Sequence, residues 1–391
     1  MKRNRILLIL SLFSMIQVYA YDFATENIKR VYSNGNVVTL YDPYTKGMIN
    51  PLTGQIHVHT TNSDGAHAPA KVATIMKDAG IDFWTITDHN YITQNPNVND
   101  LIWLCNAYED TRNTQHTNIF KAQSVYNSAD INQIIDHFIG DGSIVMLNHP
   151  DWTGLYLSNA MITGIKEGLS FVEVFNSAGT TFSDRGFDLL LSNGQYVWGT
   201  ATDDFHNDSH LKTGWVVAFS TSRNPNDILS ALLAGSFVAS SGFMITDVRL
   251  VDNVITINTG NSEATTTFYK ENMTVLATKT GEMAEYAIKG DEKFVRAVVQ
   301  GAAEKKCWVQ PYFILGSEPT SIPPVEDEVF VSITPEGLKI NGCDPSDTVT
   351  IYTVYGQLVY RSVVGDGVIS HSFPKGVYII HTARKSLKIV Y

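Results

Sequence analysis

Between Pro51 and Ala234, short apolar runs alternate with amphipathic stretches, and this alternation limits what the 391-residue chain can fold into more than any other feature. Gln55–His59, Phe83–Thr87, Ser143–Leu147, Phe171–Phe175 and Tyr196–Thr200 each have the length and the β-branched or aromatic content of a buried strand. Apolar residues at helical spacing fill the stretches between them, as over 70–79 and 131–139. Strand–helix alternation predicts a parallel sheet with helices outside it, and in a barrel of that kind the reacting groups stand at the C-terminal strand ends. From 235 to 314 the helical period gives way to alternating pieces separated by Gly, Asn and Asp turns, which predicts a small antiparallel β-sandwich. Residues 315–328 are Pro-rich and acidic, the composition of an extended linker, and 329–391 return to short strands as a second β module. Residues 21–50 are left as an N-terminal extension of the 51–234 domain.

The first twenty residues have a different purpose. Lys2, Arg3 and Arg5, an apolar run from Ile6 to Met15 and the small-residue pattern Val18-Tyr19-Ala20 have the form of a secretory signal peptide over 1–20. Export is therefore expected, to the periplasm, the cell surface or the medium. No other stretch reaches 18 consecutive apolar residues, so no transmembrane segment is expected. The three cysteines, Cys105, Cys307 and Cys343, are odd in number and lack Cys-x-x-Cys spacing, which argues against a cysteine zinc site or a disulfide framework. With 28 Lys and Arg against 39 Asp and Glu, the formal charge is −11, the wrong sign for a nucleic-acid or anionic-membrane binder. A phosphate neutralised locally by metal ions stays open.

Nine of the eleven histidines fall between His57 and His210. His57 and His59 are two apart, so in a strand both imidazoles lie on one face and can reach one ion. Asp204-Phe205-His206 repeats that geometry with a carboxylate and an imidazole. Between these pairs come Asp64, Asp88-His89, Glu109, His116 and Asn148-His149-Pro150, at or just beyond predicted strand ends. Imidazole and carboxylate suit zinc, manganese or iron, and a carboxylate can bridge two ions. His137 reads as helical surface, His67 and His210 as loop residues near the pocket mouth, and His371 and His381 as tail residues without a catalytic part.

The string His57-Val-His59-Thr-Thr-Asn-Ser-Asp64-Gly65, followed by Thr87-Asp88-His89, Glu109, Asn148-His149-Pro150 and Asp204-Phe-His206, resembles the polymerase and histidinol phosphatase (PHP) family of metal-dependent phosphoesterases over roughly 53–234. That resemblance implies an α/β fold, a distorted seven-stranded β/α barrel, with two or three divalent ions (Zn, Mn or Fe) at the strand ends. It implies that His57, His59, Glu109 and Asp204 hold a first ion, that Glu109 bridges to a second completed by His116 and His149, and that Asp64, His89 and His206 hold a third. Asp88 and His206 are its further catalytic candidates, Asp88 as an acceptor orienting His89 or as a general acid. Ser240-Ser-Gly-Phe243 through Trp308-Val-Gln-Pro311 is similar to the β-domain that follows the barrel in several members. Tyr352-Thr-Val-Tyr-Gly356, Lys375-Gly-Val-Tyr378 and Lys385-Ser-Leu-Lys388 resemble the C-terminal sorting domain of type IX secretion, the alternative being an accessory Ig-like domain.

The implied activity is hydrolysis of a small phosphate ester by a metal-bridged hydroxide. The alternatives are a metal-dependent hydrolase of an amide or cyclic ester, and a catalytically idle surface binding module. No nucleic-acid partner is expected. The secretion machinery would be met through the C-terminal module. Loops 90–100 and 153–168 are expected to set substrate choice.

Overall fold

The structure is a computed structural model that describes residues 25–112, 115–319 and, with short gaps, 330–390. The signal-peptide residues 1–20, His371 and Lys385 lie outside the described residues. The chain divides into two compact units, one ending at Glu318 and one from Pro319 to Tyr391.

The first unit is strand-rich, with short helices. Strands β1 (Ile28–Ser33), β2 (Asn36–Tyr41) and β3 (Pro51–Gln55) precede helix α1 (Pro69–Asp78). Next come β4 (Phe83–Trp84), β5 (Ile102–Trp103), β6 (Ala107–Asp110), β7 (Thr117–Phe120), α2 (Ile131–Phe138) and β8 (Ile144–Leu147). Then follow α3 (Asn159–Thr163), β9 (Leu169–Asn176), β10 (Thr181–Phe182), α4 (Asp184–Ser192), β11 (Trp198–Thr202), β12 (Trp215–Phe219), α5 (Pro225–Leu233) and β13 (Phe237–Ser240). Local chemistry explains the helices. Pro69 opens α1, where its missing N–H costs nothing. Asp130 caps α2 by accepting from Asn132 N, and Ile131, Ile134, Ile135 and Phe138 turn one stripe inward.

Strands β3, β4 and β5 pair in parallel, as do β8, β9 and β11. Between them β6, β7 and β8 pair antiparallel, where an all-parallel sheet is expected. Six residues separate β6 from β7, fewer than a parallel crossover needs, so the chain turns back as a hairpin. Two isolated parallel bridges, Val58 with Phe205 and His89 with Glu109, join the two sheets. The segments just beyond β3 and β11 thereby lie side by side, and the segment beyond β4 lies against β6. Phe120, Ile134, Phe138, Phe171, Val172 and Trp198 belong to the core cluster of this region.

The remaining strands of the unit are β14 (Asp247–Val251), β15 (Val254–Asn258), β16 (Thr265–Lys270), β17 (Thr274–Thr280), β18 (Met283–Ala287), β19 (Phe294–Gln300) and β20 (Lys306–Pro319). β14, β15 and β18 form one antiparallel sheet. β16, β17, β19 and β20 instead extend the sheet of β13, β12 and β3, so this segment shares a sheet with the first one. β20 runs to Pro319, so 315–319 is strand where a linker is expected; apolar Phe313, Ile314 and Leu315 carry the pattern on. The N-terminal extension is also strand: β1 and β2 form a hairpin, and β2 pairs with β20. Its turn, Asn34-Gly35, has both φ angles positive, the conformation that favours an Asn-Gly hairpin.

In the second unit, strands between Phe330 and Val390 form a three-stranded and a four-stranded antiparallel sheet. Leu338, Ile340, Val349, Ile351 and Ile380 are part of its own core.

Candidate metal centre

Beyond β3 the chain stays extended, and His59 N donates to the Phe205 carbonyl while Phe205 N donates to that of His57. Segments 57–59 and 204–206 therefore lie side by side, and the two-residue period turns His57, His59 and Asp204 toward one point. Asp204 Oδ1 is 3.2 Å from His57 Nε2 and 3.1 Å from His59 Nε2. The bridge between His89 and Glu109 brings a second pair of strand ends against the first. Glu109 Oε1 is 3.3 Å from His116 Nδ1 and 3.6 Å from His149 Nε2, while Oε2 is 2.9 Å from His89 Nδ1 and 3.5 Å from His59 Nε2. Asp64 Oδ2 lies 3.1 Å from His89 Nε2 and 3.4 Å from His206 Nε2.

All nine candidate ligands thus meet in three groups. His57, His59 and Asp204 are buried, and Glu109, His116 and His149 are largely so. The third group, His59, Asp64, His89 and His206, opens outward, the Asp64 side chain being 52% exposed. His59 belongs to two groups, one more than the resemblance implies.

These donors fit divalent ions on two grounds. Ligands about 2.1 Å from a tetrahedral or octahedral ion sit roughly 3.0–3.5 Å from one another, close to the 3.1–3.6 Å separations found within the groups. Second, the buried atoms His57 Nε2, His59 Nε2, His89 Nδ1 and Asp204 Oδ1 make no hydrogen bond among the described residues. Unsatisfied buried polar atoms are costly, and here they converge, as ligands of a shared cation do. Nitrogen and oxygen donors without thiolate suit zinc, manganese or iron.

Charge supports the same conclusion. Burial opposes ionisation of Glu109, yet the neighbouring His57, together with His116 and His149, holds its carboxyl well below the usual range. Burial also opposes ionisation of Asp204, which His57 and His59 hold low. Hydrogen bonds from His206 and His89 keep Asp64 low. Burial disfavours a charged His89, but Asp64 and Glu109 outweigh it and push the imidazole up to about 10. Anionic charge is concentrated at the strand ends, and imidazole protons or divalent ions are the cations that can balance it.

A supporting layer holds the donors, and most of it escapes sequence reasoning. Glu173 on β9, fully buried, accepts from His57 Nδ1 at 2.7 Å and from Thr202 Oγ1 at 2.6 Å with one oxygen. Its other oxygen accepts from the His149 amide and from Asn176 Nδ2. The signal was a carboxylate inside the apolar run Phe171-Val-Glu-Val-Phe175. Asn148 Nδ2 donates to Glu109 Oε1, and Asn176 Nδ2 to Asp204 Oδ2. His149 and Asp204 both hold positive φ, backbone conformations that a non-glycine residue keeps only where its surroundings impose them.

Asp88 departs from its expected role. Its oxygens accept from Thr60 N, Thr60 Oγ1, Ser63 Oγ and Thr93 Oγ1, and it does not orient His89, whose ring nitrogens face Glu109 and Asp64. Adjacent residues of an extended chain point to opposite sides, so Asp88 faces the 60–65 loop instead. His206 stands at the mouth, its Nδ1 2.7 Å from the Asp204 carbonyl. His210 also lines the cleft, His67 pairs with Asp208 on the surface, and His137 stacks on Tyr126 outside it.

The donors open into a cleft of about 420 Å³ whose remaining wall includes Trp152, Asn176, Ala178 and Gly179. Neither loop 90–100 nor loop 153–168 contributes to it, contrary to expectation. No Lys or Arg lines it among the described residues. Arg185 is taken up by Asp151, Asn159 and the Leu157 carbonyl, and Lys212 donates to the Ala79 carbonyl.

Fold and site together define a strand-rich α/β protein with clustered imidazole and carboxylate donors suited to divalent ions. No protein-family model and no curated protein matches the chain. Among the solved structures similar to it are two described as phosphoesterases. One, from Bacteroides vulgatus, is a two-domain protein containing a predicted PHP-like metal-dependent phosphoesterase; it is 14% identical, with 73% of this chain and 98% of that chain covered and a TM-score of 0.40. The other, from Bifidobacterium adolescentis, is provisionally assigned as a metal-dependent phosphoesterase; it is 15% identical, with 39% and 87% covered and a TM-score of 0.29. What the site can do follows from its own donor set.

Proposed function

We propose that the protein is an exported metal-dependent phosphoesterase of the PHP kind, that its two bridged sheets form that family's distorted seven-stranded barrel, and that it hydrolyses a small phosphate ester. The supporting observation is the convergence of unpartnered buried donors, His57 Nε2, His59 Nε2 and Asp204 Oδ1, beside the two further ligand groups. His57, His59 and Asp204 would hold one ion, Glu109, His116 and His149 a second, and Asp64, His89 and His206 a third, with Glu109 reaching between the first two. Bound divalent ions would neutralise phosphoryl oxygens and lower the pKa of the attacking water.

The chain's own residues prepare that chemistry. Glu173 fixes the His57 ring, and Asn148 and Asn176 orient the Glu109 and Asp204 carboxylates. A cleft wall without Lys or Arg leaves neutralisation of the phosphate to the ions, which favours a small ester over a polyanion. The segment 1–20 would direct export, and the 329–391 module would engage the type IX machinery, on the sequence patterns described above.

Protein made in metal-supplemented medium should carry transition metal and release phosphate from a panel of phosphate monoesters and diesters. Glu109→Ala and His149→Ala should each lower kcat/KM by at least about 100-fold while circular dichroism stays unchanged. Metal-loaded protein that cleaves amides or cyclic esters but no phosphate ester would move the assignment to another hydrolase.

A further inference from the structure

The cleft has one aromatic wall, and the way it is built bears on the substrate. Trp152 follows His149 in a tight turn, its amide donating to the His149 carbonyl at 2.9 Å. That turn is pinned from below. Asp151 pairs with Arg185 and accepts from Gly186 N, while its own amide donates to Ser183 Oγ. A Cβ on Gly186 would stand 2.7 Å from Pro150 Cγ, so the turn sits hard against the start of α4.

The indole lies within the same cleft as the ligand groups, its ring centroid 5.4 Å from that of His149 and nearly perpendicular to it. Two glycines leave it room. A Cβ on Gly179 would fall 2.6 Å from Trp152 Cδ1, and one on Gly154 would fall 2.7 Å from Cζ2. Both are closer than carbon atoms approach. The ring is half-buried, and its N–H makes no hydrogen bond among the described residues. A large flat side chain is thus fixed beside the ligand groups, its N–H unbonded among the described residues, on a wall it shares with Asn176, Ala178, Gly179 and His210.

Resting on the phosphoesterase reading, we infer that Trp152 is the specificity residue for the ester's organic group and that this group presents a flat ring against the indole. A ring–aromatic contact of this kind is worth roughly 1–3 kcal/mol where it has been measured for bases, about 5- to 150-fold in affinity. An acyclic alkyl or polyol ester would gain little from it.

Phenylphosphonate and methylphosphonate separate the two ideas, because neither is turned over and both carry the phosphoryl oxygens. Titrated calorimetrically into metal-loaded protein, phenylphosphonate should bind at least about tenfold tighter than methylphosphonate. Trp152→Ala should collapse that ratio to near one, leaving methylphosphonate affinity and metal content within about twofold, while Trp152→Phe should keep most of it. The matching kcat/KM ratio for phenyl phosphate over glycerol phosphate should fall in step. Equal binding of both phosphonates by the wild type, or a preference that survives in Trp152→Ala, overturns the role of Trp152 and leaves the phosphoesterase reading standing. Failure of both phosphonates to bind metal-loaded protein overturns that reading and this inference with it. A Trp152→Ala protein that loses metal along with the preference assigns the indole to bracing His149 instead, and a Trp152→Phe protein with full metal but no preference overturns a ring contact as the source of the preference.

Discussion

Because a carboxylate can only accept, the 2.7 Å contact with Glu173 requires a proton of His57 on Nδ1, so that Nε2, which faces Asp204 and Glu109, is the nitrogen left to ligate a bound ion. Glutamine in its place could offer its amide N–H to Nδ1 and stabilise the opposite tautomer, with a proton aimed into the donor cluster. Glu173→Gln should therefore weaken metal binding by about 10–100-fold, as loss of a partner behind a ligand imidazole does. Competition with a chromophoric chelator reads this directly, and the Tm of chelator-treated protein checks that the fold survives. Affinity within twofold of the parent would remove Glu173 from the centre.

At the scale of elements, the 60–65 loop carries Asp64 into the outward group, and six hydrogen bonds hold it. Asp88 accepts from Thr60 and Ser63, the Thr60 carbonyl accepts from Ser63 N and Gly65 N, and Ala66 N donates to the His206 carbonyl. A Cβ on Gly65 would lie 2.5 Å from the His59 carbonyl oxygen, a backbone atom that cannot swing away. Gly65→Ala should push the loop off, cost about 1–3 kcal/mol, and release ion from the outward group before the buried one. Elemental analysis and a thermal melt measure both effects, and an unchanged metal content with an unchanged Tm would refute the account. How much of this could be read beforehand follows the reach of each pattern. His57/His59 and Asp204/His206 were legible because the period of an extended chain puts both members of each pair on one face. The β6–β7 hairpin was not, because Ala107–Asp110 and Thr117–Phe120 are four-residue strands too short to show a period. Nor was the part of Asp88: its neighbour His89 in the sequence suggested a partner, whereas the partners in space, Thr60, Ser63 and Thr93, lie across other segments. The β1–β2 hairpin carries its local sign in Asn34-Gly35, the two-residue turn whose φ angles are both positive.

For the whole molecule, the question is which part of the chain the centre needs. Every ligand candidate, and Glu173 behind them, lies in the unit that ends at Glu318. Its two large core clusters draw only on residues between Val31 and Leu315, while the second unit has a separate cluster of Leu338, Ile351 and Ile380 with their neighbours. Cutting the chain after Glu318 therefore divides no apolar cluster, and it keeps β20, whose pairing with β13 and β19 the first unit requires. A chain of residues 25–318 should fold, bind as much metal as the full chain and show the same first melting transition. An ion that binds only folded protein adds about 4 kcal/mol at a thousandfold excess over Kd, so a strong chelator should lower that Tm equally in both chains and re-addition of metal should restore it. An insoluble short chain, or a soluble one that melts earlier or binds less metal, would make the C-terminal module part of the folding unit rather than an attachment to it.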